Sequence, residues 1–398
     1  MASITPEQKK TLQEKLSLLD KISEKINNKF GMAVMGRIGQ TPEIMERLKI
    51  KFIPTPSKEL NTAVGGGFPR RRCSIVVGKE DSGKTSLLLE TIAKNMKSDP
   101  TFVAGWLESE NSLEKDYICD TFGIDRDRFY LLPLNKNLGA EKTLDVVQQV
   151  LAQGALDIFV INSLKCLVPD KEMEASLSDS LVANQARMNS RMTKKFTALV
   201  AQHDTAFVII SHLSTDIGSM SRDPLIISGG HAIKYWSSLT LDLRKRSIAP
   251  TGEIIAPTEG VKIGVTVKKN HCIPSVNPYV KLEYYAVFGE GIEQILSSIN
   301  EAIAEGVLES HGNWLYWQKD GETVEKFSGK AAFRKYMKEN PDKFEEYQNQ
   351  LNGKANVEEL SEDEIKKIMD DDIAVNNAAL VEEDSESTKK SRKKKAEA

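Results

Sequence analysis

The segment Gly78–Thr85 constrains this chain more than any other, because it follows the pattern G-x-x-x-x-G-K-[ST]. An apolar run, Ile75–Val77, precedes the segment, and a helix-forming run, Ser86–Glu90, follows it. In such a strand–loop–helix unit the glycines let backbone N–H groups turn inward around a phosphate, and the start of the helix adds its positive end. This context distinguishes the segment from an ordinary glycine-rich turn and predicts binding of a nucleoside triphosphate.

The loop also supplies the expected contacts to the nucleotide. Lys84 should reach the β- and γ-phosphates, and Thr85 should hold Mg²⁺. The complete set of loop residues that we assign to nucleotide binding is Gly78, Lys79, Glu80, Asp81, Ser82, Gly83, Lys84, Thr85 and Ser86. The use that the protein makes of the nucleotide must be read from other segments.

Length and composition favour a multidomain protein of the cytoplasm. The chain has 398 residues, of which 40% are hydrophobic, enough for about two or three domains. No stretch approaches the roughly 20 apolar residues of a membrane span, and the first residues resemble no secretion signal. The four cysteines are far apart and form no C-x-x-C pair, which favours reduced thiols over a metal site. We therefore expect no membrane partner.

The N-terminal segment, residues 1–47, is predicted to hold one long helix followed by a polar connection. Thr5 can cap the helix, Pro6 suits its first position, and Gln8 completes a capping box. Apolar residues then recur at helical spacing, namely Leu12, Leu16, Leu19, Ile22, Ile26 and Phe30. This apolar stripe either packs on the chain's own core or docks on a neighbouring subunit.

Residues 48–290 alternate apolar strands with helices, which predicts a mostly parallel sheet covered on both faces. Two of the intervening helices are expected at Ser112–Thr121 and Glu141–Gln153. The parallel strand candidates are Ser74–Val77, Phe102–Leu107, Tyr130–Leu132, Ile158–Ile161 and Ala206–Ile210. Three further runs are expected to be antiparallel additions at one edge of the sheet: Leu239–Leu243, Lys262–Val267 and Lys281–Val287.

The remainder of the chain is predicted to form a small α/β domain, residues 291–355, and a disordered tail, residues 356–398. In the small domain we expect helices over Ile292–Ala304, Lys330–Tyr336 and Asp342–Leu351 and a strand over Trp314–Trp317. In the tail, 12 Asp or Glu residues oppose two Lys between Glu358 and Glu386, and six Lys or Arg follow in Lys389–Lys395. Charge blocks of this kind are usually disordered.

Because ligands bind at the carboxyl ends of parallel strands, the residues that follow each strand are candidates for chemistry. Glu110 follows the strand candidate Phe102–Leu107 and could orient an attacking water, with Glu108 as the second choice. An acidic loop that only caps the next helix has the same pattern. His212 follows Ala206–Ile210 and either touches the γ-phosphate or has a core or surface role.

Asn162 stands at the end of the strand candidate Ile158–Ile161, where a P-loop ATPase normally carries an Asp that holds Mg²⁺. Its amide oxygen can accept from a metal-bound water. The residue brings no charge, however, and cannot act as a base. This departure bears on the rate of hydrolysis more than on nucleotide binding.

Two loops, residues 176–183 and 213–227, have the composition of mobile segments. The first is followed by a helix on which Arg187, Ser190, Arg191 and Lys194 fall on one face. A basic helical face suits contacts with a phosphate backbone, although a solvated helix face has the same appearance.

Taken in order, these segments resemble the RecA family of ATP-dependent DNA recombinases, over about Lys10 to Leu351. The resemblance implies an α/β fold: a RecA-like P-loop ATPase core with a mostly parallel sheet, an N-terminal polymerisation helix and a small α/β C-terminal domain. The segments that carry it are Gly78–Thr85, Phe122–Asp125, Ala186–Met188, Ser228–Tyr235, Leu241–Arg244, Phe288–Ile292 and Gly312–Tyr316.

The resemblance implies ATP and Mg²⁺ as ligands and gives roles to individual residues. Glu110 falls on the family's catalytic glutamate, which activates water, with Lys84 and His212 as further catalytic residues. Tyr117 falls on the tyrosine that stacks on adenine, and Glu114 on the acidic residue near the adenine amine. Without the resemblance, Tyr117 would be assigned to helix packing.

Contacts between subunits and with DNA are also implied. Lys269 matches a lysine that reaches the neighbouring subunit's γ-phosphate, and His271 replaces a second one. Loops 176–183 and 213–227 match the two DNA-binding loops. The implied DNA contacts are Val182, Arg187, Ser190, Lys194, Ile217, Gly229 and Gly230.

The main hypothesis is a recombinase that forms helical filaments on single-stranded DNA and exchanges strands with double-stranded DNA. Asn162, His212 and His271 depart from the bacterial pattern and indicate a divergent member, in the bacterial cytoplasm or nucleoid, or in the host cytoplasm if viral. One alternative is a nucleotide-gated DNA-binding or mediator protein with little hydrolysis, and another is a ring helicase. The acidic part of the tail either competes with DNA for the basic surface or serves only solubility.

Overall fold

The computed structural model of this chain describes residues 5–114, 116–135, 138–174, 184–215, 225–227, 231–246, 254–273, 280–319 and 321–355. The chain divides into two compact units, of which the first ends at Ser297 and the second begins at Ser298. The predicted tail, 356–398, and the loop 176–183 lie outside the described residues, as do residues 216–224 of the second loop.

Ten strands of the described chain form one sheet in the first unit, and two short strands pair separately. The strands are β1 Phe52–Ile53, β2 Phe68–Pro69, β3 Cys73–Gly78, β4 Ala104–Glu108, β5 Phe129–Pro133, β6 Ile158–Asn162, β7 Ala206–Thr215, β8 Leu225–Ile227, β9 Leu239–Arg246, β10 Gly260–Asn270, β11 Lys281–Val287 and β12 Gly291–Ile292. The order across the sheet is β12-β11-β10-β9-β3-β7-β6-β4-β5, with β8 paired to β7, whereas β1 pairs with β2.

The expected parallel core is confirmed, since β3, β7, β6, β4 and β5 are parallel neighbours. The prediction for the first of the three antiparallel additions is wrong, because β9 runs parallel to β3. A short helix precedes β9 and returns the chain across the sheet, which permits a parallel pairing. The other two additions, β10 and β11, are antiparallel as expected.

Helices cover both faces of this sheet. Successive residues of β3 belong to different hydrophobic clusters. Val76 packs with side chains of the helix Lys84–Ser98, whereas Ile75 and Val77 pack with those of the helices Ala140–Leu151 and Asn184–Val200. This alternation follows from the two-residue repeat of a strand. The helices of the first unit are α1 Pro6–Phe30, α2 Pro42–Leu48, α3 Lys58–Val64, α4 Lys84–Ser98, α5 Ala140–Leu151, α6 Asp170–Glu174, α7 Asn184–Val200, α8 His231–Trp236 and α9 Gln294–Ser297.

The predicted N-terminal helix is present as α1, with its predicted N-terminal cap. Thr5 and Gln8 form a reciprocal capping box, and Gly31 ends the helix with a φ of 65°, in the left-handed region. None of the side chains in Pro6–Phe30, a range that the structure describes throughout, is buried. Leu12, Leu19 and several other apolar side chains of this helix are exposed.

Two predicted helices are only partly present. Over Ser112–Thr121 the structure has a π-helical turn, Tyr117–Thr121, whereas residues 112–114 are irregular. The prediction over Ile292–Ala304 is divided, because Ile292 pairs in β12 and Ser298 separates α9 from α10.

The second unit contains a three-stranded antiparallel sheet with helices. Its buried aromatic side chains, Trp317, Phe333 and Tyr347, form the centre of its core. Its elements are α10 Ile299–Ala304, β13 Leu308–His311, β14 Trp314–Lys319, β15 Glu322–Phe327, α11 Lys330–Glu339 and α12 Pro341–Ala355. Throughout the described ranges of the chain, no helix is both long and apolar enough to cross a bilayer.

Candidate nucleotide-binding and catalytic site

The loop between β3 and α4 has the geometry of a phosphate cradle. Two residues turn the backbone through the left-handed region, Asp81 with a φ of 56° and Gly83 with a φ of 80°. A Cβ atom at Gly78 would lie 2.3 Å from Ser82 Oγ and 2.4 Å from the Leu243 carbonyl oxygen. Only glycine therefore fits where the strand enters the loop.

Lys84 lies at the start of α4 with its side chain folded against the loop. Its Nζ donates to the Lys79 carbonyl at 2.7 Å and to Ser82 Oγ at 3.4 Å, and the residue is 6% exposed. Burial lowers the pKa of Lys84, while the negative charges of Glu110, Asp81 and Glu80 oppose this shift. Thr85 and Ser86 follow in the first turn of α4, where both are half-buried.

Glu110 and His212 meet beside this loop, although 102 positions separate them in the sequence. His212 Nε2 and Glu110 Oε1 are 2.6 Å apart. Burial is the largest influence on the pKa of Glu110 and raises it, but hydrogen bonds from Ser163 and His212 and the charges of His212 and Lys84 together lower it. His212 is also the register partner of Gly78, which places it at the entrance to the phosphate loop.

Glu108 and Asn162 are buried register partners at the ends of β4 and β6. Asn162 Nδ2 donates to Glu108 Oε2 at 2.8 Å. Asn162 Oδ1 is buried and has no hydrogen-bond partner among the described residues. An unpaired buried acceptor of this kind suits a water that is bound to a metal ion, so the chemistry of the site fits Mg²⁺.

Two predicted subunit-boundary residues lie at the end of β10 and just after it. Lys269 Nζ donates to the carbonyls of Lys234 and Tyr235, the last turn of α8, at 3.1 and 3.0 Å. Burial is the main cause that lowers the pKa of Lys269. His271 is exposed.

The predicted adenine contacts are only partly described. Glu114 is exposed, and its carbonyl accepts from the Ile118 N–H at 3.0 Å. The Tyr117 backbone belongs to the π-helical turn, but its side chain lies outside the described part of the chain.

Only some of the predicted DNA contacts lie within the described residues. Arg187, Ser190 and Lys194 are all exposed on α7. The other predicted contacts fall outside the described residues, namely Val182, Ile217, Gly229 and Gly230.

Ser109, Ser112 and Ser163 belong to this site but were not predicted from the sequence. Ser109 Oγ donates to the Ser163 carbonyl at 2.6 Å and accepts from the Ser163 N–H at 3.0 Å. These bonds tie the ends of β4 and β6 together. The positions just after the two strands are the only signal that the sequence offers for these serines.

Known proteins are similar to the part of the chain that carries this site. Residues 17–293 match the family model of the RecA N-terminal domain. Protein RecA of Thermus aquaticus is 32% identical over 339 residues, which cover 84% of this chain and 93% of that protein. Protein RecA of Saccharopolyspora erythraea is 32% identical over 354 residues, covering 89% and 94% respectively.

Proposed function

The chain belongs to the RecA family, and from this membership we propose how its side chains couple ATP to DNA. It is an ATP-dependent DNA recombinase and a DNA-dependent ATPase, the activities of that family. The observation that carries the proposal is the contact between Glu110 and His212, because it joins the phosphate loop to the strand that leads to the second loop.

In this proposal the loop between β3 and α4 binds the phosphates of ATP. Lys84 exchanges its bonds to Lys79 and Ser82 for phosphate oxygens, which are stronger partners for an ammonium group. Thr85 and Asn162 would hold Mg²⁺, which neutralises charge on the phosphate oxygens. Glu114 and Tyr117 are proposed to recognise the adenine.

Glu110 is proposed to orient and deprotonate the attacking water. Its lowered pKa keeps the carboxylate ionised at neutral pH, so that it can accept a proton. Glu108 is the weaker candidate, since it is only 3% exposed and both of its oxygens are hydrogen-bonded.

His212 is proposed to relate the state of the nucleotide to DNA affinity. It is the last residue of β7 that pairs with β3, and Leu213 is the first that pairs with β8. A change at the γ-phosphate that moves Glu110 would therefore also move His212. The change would then reach the segment between β7 and β8, which we propose to contact DNA.

Assembly into a filament is proposed to complete the site. The exposed apolar side chains of α1 would dock on a second copy of the chain, since a head-to-tail contact that does not close gives a helical filament. Lys269 and His271 would then reach the γ-phosphate held by the neighbouring subunit. Arg187, Ser190 and Lys194 would bind the DNA backbone, so that the bases stay free to pair.

The test is to measure binding to single-stranded DNA with a non-hydrolysable ATP analogue and with ADP. We expect at least tenfold tighter binding with the analogue, and His212→Ala should remove most of this difference while leaving nucleotide binding intact. Lys97→Ala, on the exposed face of α4, is the control. Equal DNA affinity in both nucleotide states of the wild type would refute the coupling, and strand exchange on the same preparation would report recombination independently.

A further inference from the structure

Glu108 connects three parts of the site through hydrogen bonds to its two carboxylate oxygens. Its Oε2 accepts from Trp106 Nε1 at 3.0 Å and from Asn162 Nδ2 at 2.8 Å. Its Oε1 accepts from the Glu110 N–H at 3.0 Å and from the N–H and Oγ of Ser112, both at 3.3 Å. One carboxylate thus links the indole within β4, the amide at the end of β6 and the turn that carries Glu110.

These bonds determine which way the Asn162 amide faces. An ionised carboxylate only accepts hydrogen bonds, so the amide nitrogen must be the atom that faces Glu108. The opposite orientation would bring the amide oxygen against Glu108 Oε2 and would bury the nitrogen away from that acceptor. The observed orientation leaves Asn162 Oδ1 free as an acceptor at the carboxyl end of β6.

The same geometry makes a second carboxylate at position 162 unfavourable. Glu108 and Asn162 are 3% and 0% exposed, so water cannot screen two negative charges that face each other at hydrogen-bond distance. The pair therefore accommodates one carboxylate and one amide. Here the carboxylate stands on β4 and the amide on β6.

We propose that Glu108 is a positioning residue that complements Asn162: it carries the negative charge that residue 162 lacks and orients the Asn162 oxygen for magnesium–nucleotide binding. This inference rests on the proposed function. It has a consequence that the sequence alone does not give, because restoring the usual acid with Asn162→Asp should impair the site. The loss of magnesium–nucleotide binding caused by Asn162→Asp should be smaller in a variant in which Glu108 has already been replaced.

The experiment is a double-mutant cycle of Asn162→Asp, Glu108→Gln and the combined variant, with Glu43→Gln on the exposed face of α2 as a matched control. The main measurement is the Mg²⁺ concentration that half-saturates binding of a fluorescent ATP analogue, at a temperature where every variant is folded. We expect each single variant to raise this concentration at least tenfold. The factor by which Asn162→Asp raises this concentration should be at least fivefold smaller in the Glu108→Gln background.

Two outcomes would overturn the proposal: a gain in Mg²⁺ affinity or turnover for Asn162→Asp alone, or strictly additive effects. A Glu108→Gln variant with a lower melting temperature but unchanged Mg²⁺ dependence would make Glu108 merely structural and would also refute it. Melting of the nucleotide-free variants supplies a second cycle, in which we expect the same non-additivity. If the wild type bound no nucleotide, the proposed function would fail, while this second cycle would still test the pairing of Glu108 with Asn162.

Discussion

Apolar side chains are usually buried and polar side chains usually exposed. Two regions of this molecule depart from that rule: the ends of β4 and β6, and the N-terminal helix α1. At the ends of β4 and β6, polar residues such as Glu108, Ser109 and Asn162 are buried and joined by hydrogen bonds within one chain. In α1, apolar residues such as Leu12, Leu18 and Leu19 are exposed. A monomer thus joins the buried polar residues of the first region to one another, with Asn162 Oδ1 left as an acceptor, and leaves the apolar side chains of the second region exposed.

The difference shows what each region requires. Buried polar groups are costly unless they are paired, so the proposed catalytic region must be assembled within the folded chain. An amphipathic helix with caps at both ends can form by local rules, but its apolar face gains free energy only when it is covered. The first region therefore fits the proposed catalytic role, and the second fits the proposed docking on another copy of the chain.

The largest expected effect follows from replacing the carboxylate of Glu110, which lies beside the phosphate loop. Glu110→Gln keeps the size of the side chain but cannot accept a proton, so turnover should fall by about 10²- to 10⁴-fold. ATP binding should change little, because the phosphate loop is intact. Steady-state hydrolysis and equilibrium nucleotide binding measure the two quantities, and Asp116→Asn nearby is the control. Unchanged turnover would remove Glu110 from the chemistry.

Glu90 tests the rule that buried polar groups need partners. Its Oε2 accepts from the Ile292 N–H at 2.8 Å, whereas Oε1 is buried without a partner among the described residues. Burial raises the pKa of Glu90 to about 7, although the hydrogen bond from the Ile292 N–H lowers it. The folded protein therefore keeps a proton that the unfolded chain has already released, and the free energy of unfolding falls as the pH rises from about 4.5 to about 7.

Glu90→Gln should remove this dependence. At pH 8 the variant should be more stable than the wild type, by up to about 3 kcal/mol, and the advantage should disappear near pH 4.5. Urea unfolding of both proteins across this range gives the difference, and Glu59→Gln on α3 provides a comparison. A difference that does not vary with pH would show that the ionisation of Glu90 is not the cause.

The smallest expected effect concerns the exposed apolar side chains of α1. Leu12→Ala with Leu19→Ala removes apolar surface while keeping a strong helix former at both positions, so we expect self-association to weaken about 30-fold. Thermal stability of the monomer should stay within about 0.5 kcal/mol, because both side chains are exposed. Sedimentation at several concentrations measures the association, with Glu14→Ala and Lys15→Ala as the matched pair. Equal effects from the two pairs would show that the apolar face is not the docking surface.

Local patterns predicted the parallel strands, the N-terminal cap of α1 and the strand–loop–helix unit around Lys84, because each depends on neighbouring residues. The connections that complete the site are long-range, since 54 positions separate Glu108 from Asn162 and 102 separate Glu110 from His212. The sequence therefore marked Asn162 as a departure but could not show that Glu108 faces it. The direction of β9 was missed for a similar reason, because it depends on how α8 returns the chain to the sheet.

The pairing of β7 has a mechanical consequence. The strand pairs with β6 up to Ile209 and with β3 up to His212, and beyond His212 the residues Leu213–Thr215 pair with β8. The outer part extends roughly 10 Å, at about 3.3 Å per residue. His212, which contacts Glu110, lies where the pairing with β3 ends and the pairing with β8 begins. Under the coupling proposed above, a small rotation of β7 at His212 would therefore displace Thr215 more than it displaces the residues beside the phosphate loop.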